Sequence, residues 1–133
     1  VFNAGLRVEP PCPAMATYWM AFNALQRQLG GVPDVGAELA ALAAAAGFAD
    51  IQLRTLPVRM DARMSDPARR REFVSYWRTL WLSGTEQLQS RGLVSPVLVD
   101  AMQTEFTALA ENPAAIYDYS AWQVAARRPS GTD

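Results

Sequence analysis

The chain has 133 residues, half of them hydrophobic and about a fifth charged, which suits a soluble globular core and one domain or part of one. A formal net charge of −1 gives no bulk attraction towards nucleic acid or an anionic membrane, so neither is expected as a partner. All 12 basic residues are Arg, and His is absent, which removes the commonest general base and zinc ligand and leaves no metal site to expect.

A single cysteine, Cys12, excludes an internal disulfide framework and fits a reducing, cytoplasmic location. No apolar run approaches the length of a membrane span, and no signal peptide is legible. The first residue is Val, which suggests a fragment or a processed form.

In chain order, residues 1–13 read as a short strand followed by a rigid loop. Leu6 and Val8 alternate with polar neighbours, and Pro10, Pro11 and Pro13 forbid a helix or a central strand. Residues 14–30 read as a helix. Met15, Tyr18, Trp19, Phe22, Leu25 and Leu29 recur at helical spacing, and Gly30-Gly31 stops the run. Such a stripe is the pattern of core packing, and its aromatic members Tyr18, Trp19 and Phe22 also suit one wall of a pocket.

Residues 34–60 read as helix, sharp stop and strand. Asp34 is placed to cap a helix, Leu39, Leu42, Ala43 and Ala46 form its apolar stripe, and the run of alanines favours helix. Gly47 supplies the left-handed residue that ends it. Ile51, Leu53 and Thr55 then alternate at a strand period that Pro57 is expected to close.

Residues 66–112 read as a run of helices. Asp66-Pro67 and Ser95-Pro96 are both cap-plus-proline helix starts. Phe73, Tyr76 or Trp77, Leu80 and Trp81 make the apolar face of the first helix, and Arg69, Arg70 and Arg71 are assigned to its solvated side. A short helix over residues 85–91 ends at Gly92, and Leu98, Met102, Phe106 and Leu109 line the last helix. The SRGLVSP turn has no basic recognition helix beside it, so a DNA-binding helix-turn-helix is not supported. Residues 116–128 read as a long last strand, apolar or small on both faces and therefore expected to be covered on both. Residues 129–133 read as a polar tail.

Two stretches resemble class I S-adenosylmethionine-dependent methyltransferases of the small-molecule type. Ala46-Gly47-Phe48-Ala49-Asp50-Ile51 resembles the passage from the late helix to the sixth strand of that fold, and Trp122-Gln123-Val124-Ala125-Ala126-Arg127-Arg128-Pro129 resembles its closing strand. Glu9-Pro10-Pro11-Cys12 is also similar to the Asp/Asn-Pro-Pro-aromatic motif of amino-methyltransferases, with Glu9 and Cys12 as departures.

The resemblance covers about residues 6–129 and implies the C-terminal part of a Rossmann-like α/β fold. That part has a small mixed sheet of three strands, the last strand antiparallel and inserted between the other two, and a helical lid over the acceptor. It further implies that S-adenosylmethionine serves the complete enzyme. The glycine-rich turn and ribose-binding acid are absent here, so no cofactor is expected on this chain alone.

The expected partners are a small-molecule acceptor and a segment completing the sheet, either the chain's own N-terminal half or another chain. Candidate acceptor-binding residues are Tyr18, Trp19, Phe22, Trp77 and Trp81, with Trp19, Phe22, Trp77 and Trp81 expected close together. Without His, a base would be a carboxylate or a tyrosine, and Glu9, Tyr117 and Asp118 are the candidates. The competing reading is a non-enzymatic helical binding or oligomerisation module, in which the aromatic faces would lie exposed on an interface.

Overall fold

The computed structural model describes residues 5–129. The sequence expectations for residues 1–4 and for the tail beyond Pro129 lie outside them. The elements run β1 (Leu6–Glu9), α1 (Pro13–Gln28), a 3₁₀ turn (Val35–Glu38), α2 (Leu39–Ala45), β2 (Ala49–Met60), α3 (Pro67–Leu82), α4 (Thr85–Ser90), α5 (Pro96–Glu111) and β3 (Ile116–Arg127). The class is α/β.

The sheet order is β1-β3-β2, and both pairings are antiparallel, so the expected mixed sheet has no parallel pairing. Because β3 runs against both neighbours, β1 and β2 point the same way and end on either side of it, Glu9 opposite Ile116 and Met60 opposite Tyr117. Strand alternation puts Leu6, Val8, Val58, Met60, Tyr117 and Tyr119 on one face and Arg7, Glu9, Arg59 and Asp118 on the other. The outer edge of β1 has no strand partner among the described residues.

The helix ends follow the local chemistry closely. Asp66 accepts the Ala68 N–H at 2.9 Å, and Ser95 accepts the Leu98 N–H at 3.1 Å, each with proline at the next position. Gly47, at φ +83°, carries the chain out of α2. The Phe48 and Gly47 N–H groups donate back to Ala43 and Ala44 at 3.1 and 3.0 Å.

The start of α1 differs. Cys12 provides no side-chain cap, and the Glu105 carboxylate on α5 accepts from the Ala14 and Met15 N–H groups at 3.0 and 2.7 Å. A residue some ninety positions away thus does the work of a local cap, and sequence neighbours could not have indicated it.

Helix α5 packs against both α1 and α3, and Met15, Tyr18, Leu25, Trp81, Leu88, Met102, Phe106 and Leu109 form the dry centre. Gly84 lets Phe22 in, since a Cβ there would fall 2.7 Å from the Phe22 ring. This helical layer covers the Tyr117 face of the sheet, where Phe73 and Trp77 meet Tyr117.

Several sequence expectations are corrected. Asp34 does not cap a helix; its carboxylate pairs with Arg27 at 3.1 Å, and residues 35–38 form the 3₁₀ turn. Strand β2 does not stop at Pro57 but runs on to Met60. It is an edge strand, and a proline whose missing N–H would face outward removes no ladder bond. Arg70 is buried, not solvated: its guanidinium donates to the carbonyls of Asp61 (3.0 Å), Met64 (3.3 Å) and Asn112. It ties the β2–α3 turn to the end of α5.

The far half of β3 is not covered on both faces. From Trp122 to Arg127 it is mostly exposed, as are residues 52–57 of β2, and α2 has no buried residue. No described helix is long and apolar enough to cross a membrane.

Candidate functional site

The expected cluster of four aromatic residues separates into two groups. Trp19 stacks on Phe22 (ring centroids 5.8 Å) and on Trp81 (4.7 Å), while Trp81 also meets Tyr18 (6.0 Å) and Phe106 (5.2 Å, edge-on). Trp77 belongs elsewhere, with Phe73, Tyr76, Tyr117 and Tyr119. Positions 77 and 81 share one face of α3 about 6 Å apart along its axis, and at that spacing Trp81 packs on Trp19 of α1 while Trp77 packs on Tyr117 and Tyr119 of the sheet.

Trp81 is 2 % exposed and Tyr18 fully enclosed, so neither lines an open pocket. The Tyr18 hydroxyl donates to the Trp81 carbonyl at 2.6 Å and lies 2.8 Å from the Thr85 hydroxyl, fastening α1 across the α3–α4 corner. Burial raises its phenol above the ordinary value, an effect the Thr85 hydrogen bond partly opposes.

Trp77 lines an open cleft of about 660 Å³ at the C-terminal end of β2, together with Val58, Arg59, Asp61, Arg63, Met64, Arg69, Glu72, Phe73 and Tyr76. The floor is aromatic and the rim is charged. Position follows from the strand: β2 delivers Val58 and Arg59 and then turns through Asp61 and Arg63 into α3, whose first three turns supply Arg69, Glu72, Phe73, Tyr76 and Trp77. Tyr117 and Tyr119 stand behind Trp77 at 5.3 and 5.4 Å and hold its ring in place.

The rim is partly neutralised. Arg63 donates from Nε and Nη2 to the Asp61 carboxylate at 3.1 and 2.8 Å, and the Arg63 backbone N–H adds a third bond at 2.9 Å. Arg59 lies 3.3 Å from Asp61 and 3.5 Å from Asp118. The Arg63 side-chain hydrogen bonds hold the Asp61 carboxyl down to about 2, so Asp61 is a fixed anion and a poor base. Arg69 and Glu72 have no ion-pair partner among the described residues.

The three proposed bases do not converge. Glu9 is exposed and paired with Arg7 at 2.6 Å, and Asp118 faces Arg59, both on the sheet face opposite Tyr117. Tyr117 is 2 % exposed, and burial pushes its phenol well above the ordinary range, so it stays protonated and backs the Trp77 ring. The cleft residues that sequence reasoning missed, Arg59, Asp61, Arg63, Arg69 and Glu72, did leave one signal: Arg, Asp and Arg at every second position as a strand runs out.

In the turn after β1, Cys12 is buried and its thiol is pushed up to about 11, first by burial and then by the Glu105 charge, so it is no nucleophile at neutral pH. Among the described residues no group of three or more Cys, Asp or Glu stands together to hold a metal ion.

Comparison with models of known families finds no match for this chain. Comparison with curated proteins finds none either.

Proposed function

We propose that this chain builds the acceptor side of an S-adenosylmethionine-dependent small-molecule methyltransferase of the Rossmann-like class. The observation that carries the reading is the order and direction of the strands: two strands pointing the same way, with the last strand of the chain antiparallel between them. That is the arrangement expected of the fifth, seventh and sixth strands of that class, and the helices between β2 and β3 stand where its small-molecule members insert a lid. The aromatic cleft at the C-terminal end of β2 adds support, because ligands of open α/β sheets bind beyond the C-terminal strand ends.

The described residues do not fit the cofactor. A turn whose backbone approaches the cofactor needs free N–H groups, and the turn after β1 is built from Pro10, Pro11, Cys12 and Pro13. S-adenosylmethionine is therefore assigned to the N-terminal half or partner chain that would complete the sheet along the open edge of β1, and no residue of this chain is given a role in holding it.

This chain's contribution is to position an acceptor against Trp77 and Phe73 and to keep water away from it. That is much of what attack on an already electrophilic sulfonium methyl requires. Glu72 is the unpaired carboxylate closest to that task, and it replaces Glu9, Tyr117 and Asp118 as the candidate base.

The test is calorimetry with S-adenosylhomocysteine, on this chain alone and on the whole native polypeptide or complex that contains it. Micromolar binding by the whole and none tighter than about millimolar by this chain supports the reading. No binding by either sinks it.

A second reading, a binding or oligomerisation module, is favoured by the exposed apolar residues Leu42, Phe48, Leu53, Leu56 and Trp122 around α2 and the far β2–β3 ribbon. Under it, the same calorimetry is silent and light scattering reports a stable assembly.

A further inference from the structure

We propose that the cleft between the end of β2 and α3 takes a planar aromatic ligand carrying a carboxylate, with the ring on Trp77 and Phe73 and the anion on Arg69. The inference names the acceptor class and rests on the reading of this cleft as the acceptor side of the site.

Size is the first argument. About 660 Å³ lies within the usual range for small-molecule clefts and accommodates a single substituted ring or two fused rings. The floor is the second. Phe73, Tyr76 and Trp77 form a corner, with Tyr76 perpendicular to Trp77 (89°, 5.7 Å) and Phe73 tilted against it (48°, 6.3 Å). A flat ring entering that corner meets one face and one edge, the two arrangements aromatic pairs prefer. Trp77 is already fixed by the tyrosines behind it, so little ordering remains to be done on binding.

Charge is the third argument and selects between ligand classes. An aromatic corner beside Glu72 could in principle hold an ammonium group. Asp118, 3.5 Å away, offsets Arg59, however. Asp61 is also spent on Arg63 and Arg59, which leaves Arg69 as the rim cation with no partner among the described residues. A carboxylate gains the two-pronged fork of the free Arg69 guanidinium, whereas an ammonium gains only a point contact with Glu72. Glu72, one turn along α3 from Arg69, is left to accept a hydrogen bond from a ring hydroxyl or amine.

The experiment is an NMR titration of the full chain, following the Trp77 indole N–H, with three probes: 4-hydroxybenzoate, phenol and tyramine. The expected result is saturable binding of 4-hydroxybenzoate, weaker binding of phenol, and tyramine weakest of all. Arg69→Gln is expected to cost about tenfold in 4-hydroxybenzoate affinity and to leave phenol unchanged, while Trp77→Leu weakens both. Arg69 is exposed, so Arg69→Gln should leave the melting temperature alone, and circular dichroism checks this.

Tyramine binding as tightly as 4-hydroxybenzoate, an unchanged affinity in Arg69→Gln, or no response to any probe at about 10 mM overturns the proposal. If S-adenosylhomocysteine binds the whole polypeptide but the cleft ignores 4-hydroxybenzoate, this inference falls alone. If 4-hydroxybenzoate binds as described and the cofactor does not, the methyltransferase reading falls and the ligand class of the cleft stands.

Discussion

The two ends of this molecule are built on the same β3 strand and differ in nearly every physical respect. At the Ile116 end, Tyr117 is enclosed by α3, Met60 is fully buried beside it, and the helical core of Tyr18, Trp81 and Phe106 lies just beyond. At the Arg127 end, β2 and β3 remain paired in a long ribbon, but Leu53, Leu56 and Trp122 are all more than a third exposed, and Leu42 of α2 is 49 % exposed.

At both ends β2 pairs with β3, and both ends carry apolar side chains; only one has a layer to bury them. An apolar strand period is therefore a request for cover and not proof of it. Here α2 is too short to supply the cover.

The comparison can be broken by experiment. The largest effect is expected at the core end. Trp81→Ala removes a ring that touches Tyr18, Trp19 and Phe106 in a dry environment and should cost about 3–5 kcal/mol by denaturant melting. A loss of under about 1 kcal/mol would mean that this end is as loosely held as the other.

Next comes Arg70→Met, which strands the carbonyls of Asp61, Met64 and Asn112 and is expected to cost about 2–4 kcal/mol. A neutral result would show that water reaches those carbonyls freely.

Trp77→Ala is expected to be milder, about 1–2 kcal/mol, because one side of that ring already faces the open cleft. Its signature is that binding of 4-hydroxybenzoate fails in a protein that still folds. Equal destabilisation by Trp77→Ala and Trp81→Ala would erase the distinction between core and cleft.

At the ribbon end, Leu56→Gln should change stability by no more than about 0.5 kcal/mol, and amide exchange of residues 52–56 should be much faster than that of Met60. A large loss from Leu56→Gln would reveal a covering partner already in place, such as a second copy.

The smallest effect concerns Asp61. Its folded value, about 2, lies below the ordinary 3.8, so its contribution is present above about pH 4 and is lost as pH falls through that window towards 2. In Asp61→Asn the stability difference from the parent should close over the same window. A difference that is constant between pH 5 and about pH 2 would remove the Arg63 pairing from the account.

Much of the fold was legible because it depends on neighbours in sequence. Asp66-Pro67 and Ser95-Pro96 begin helices, and Gly47 and Gly92 end them, since capping is decided within four or five residues. The stripe of Met15, Tyr18 and Leu25 is buried as its period implies, and Leu29, at the same period, is exposed because the helix has run past its partner. The candidate site was less legible. Tyr18, Trp19, Phe22 and Trp81 look like pocket residues by size and spacing, but four facing aromatics close up against one another as readily as they line a cavity. The residues that do line the cleft are mainly charged ones from a strand end and a helix start, where hydrophobic periodicity says nothing.

What the sequence by itself determined is the set of elements and most of their ends, through capping, glycine stops and alternation. Only the tertiary structure decided that Glu105 caps α1, that Arg70 is buried against three carbonyls, and that β3 lies between β1 and β2 with its far half uncovered. The physical reason is range. Caps and turns are settled by atoms a few residues apart, whereas burial depends on which distant surface arrives to exclude water, and no local pattern carries that information.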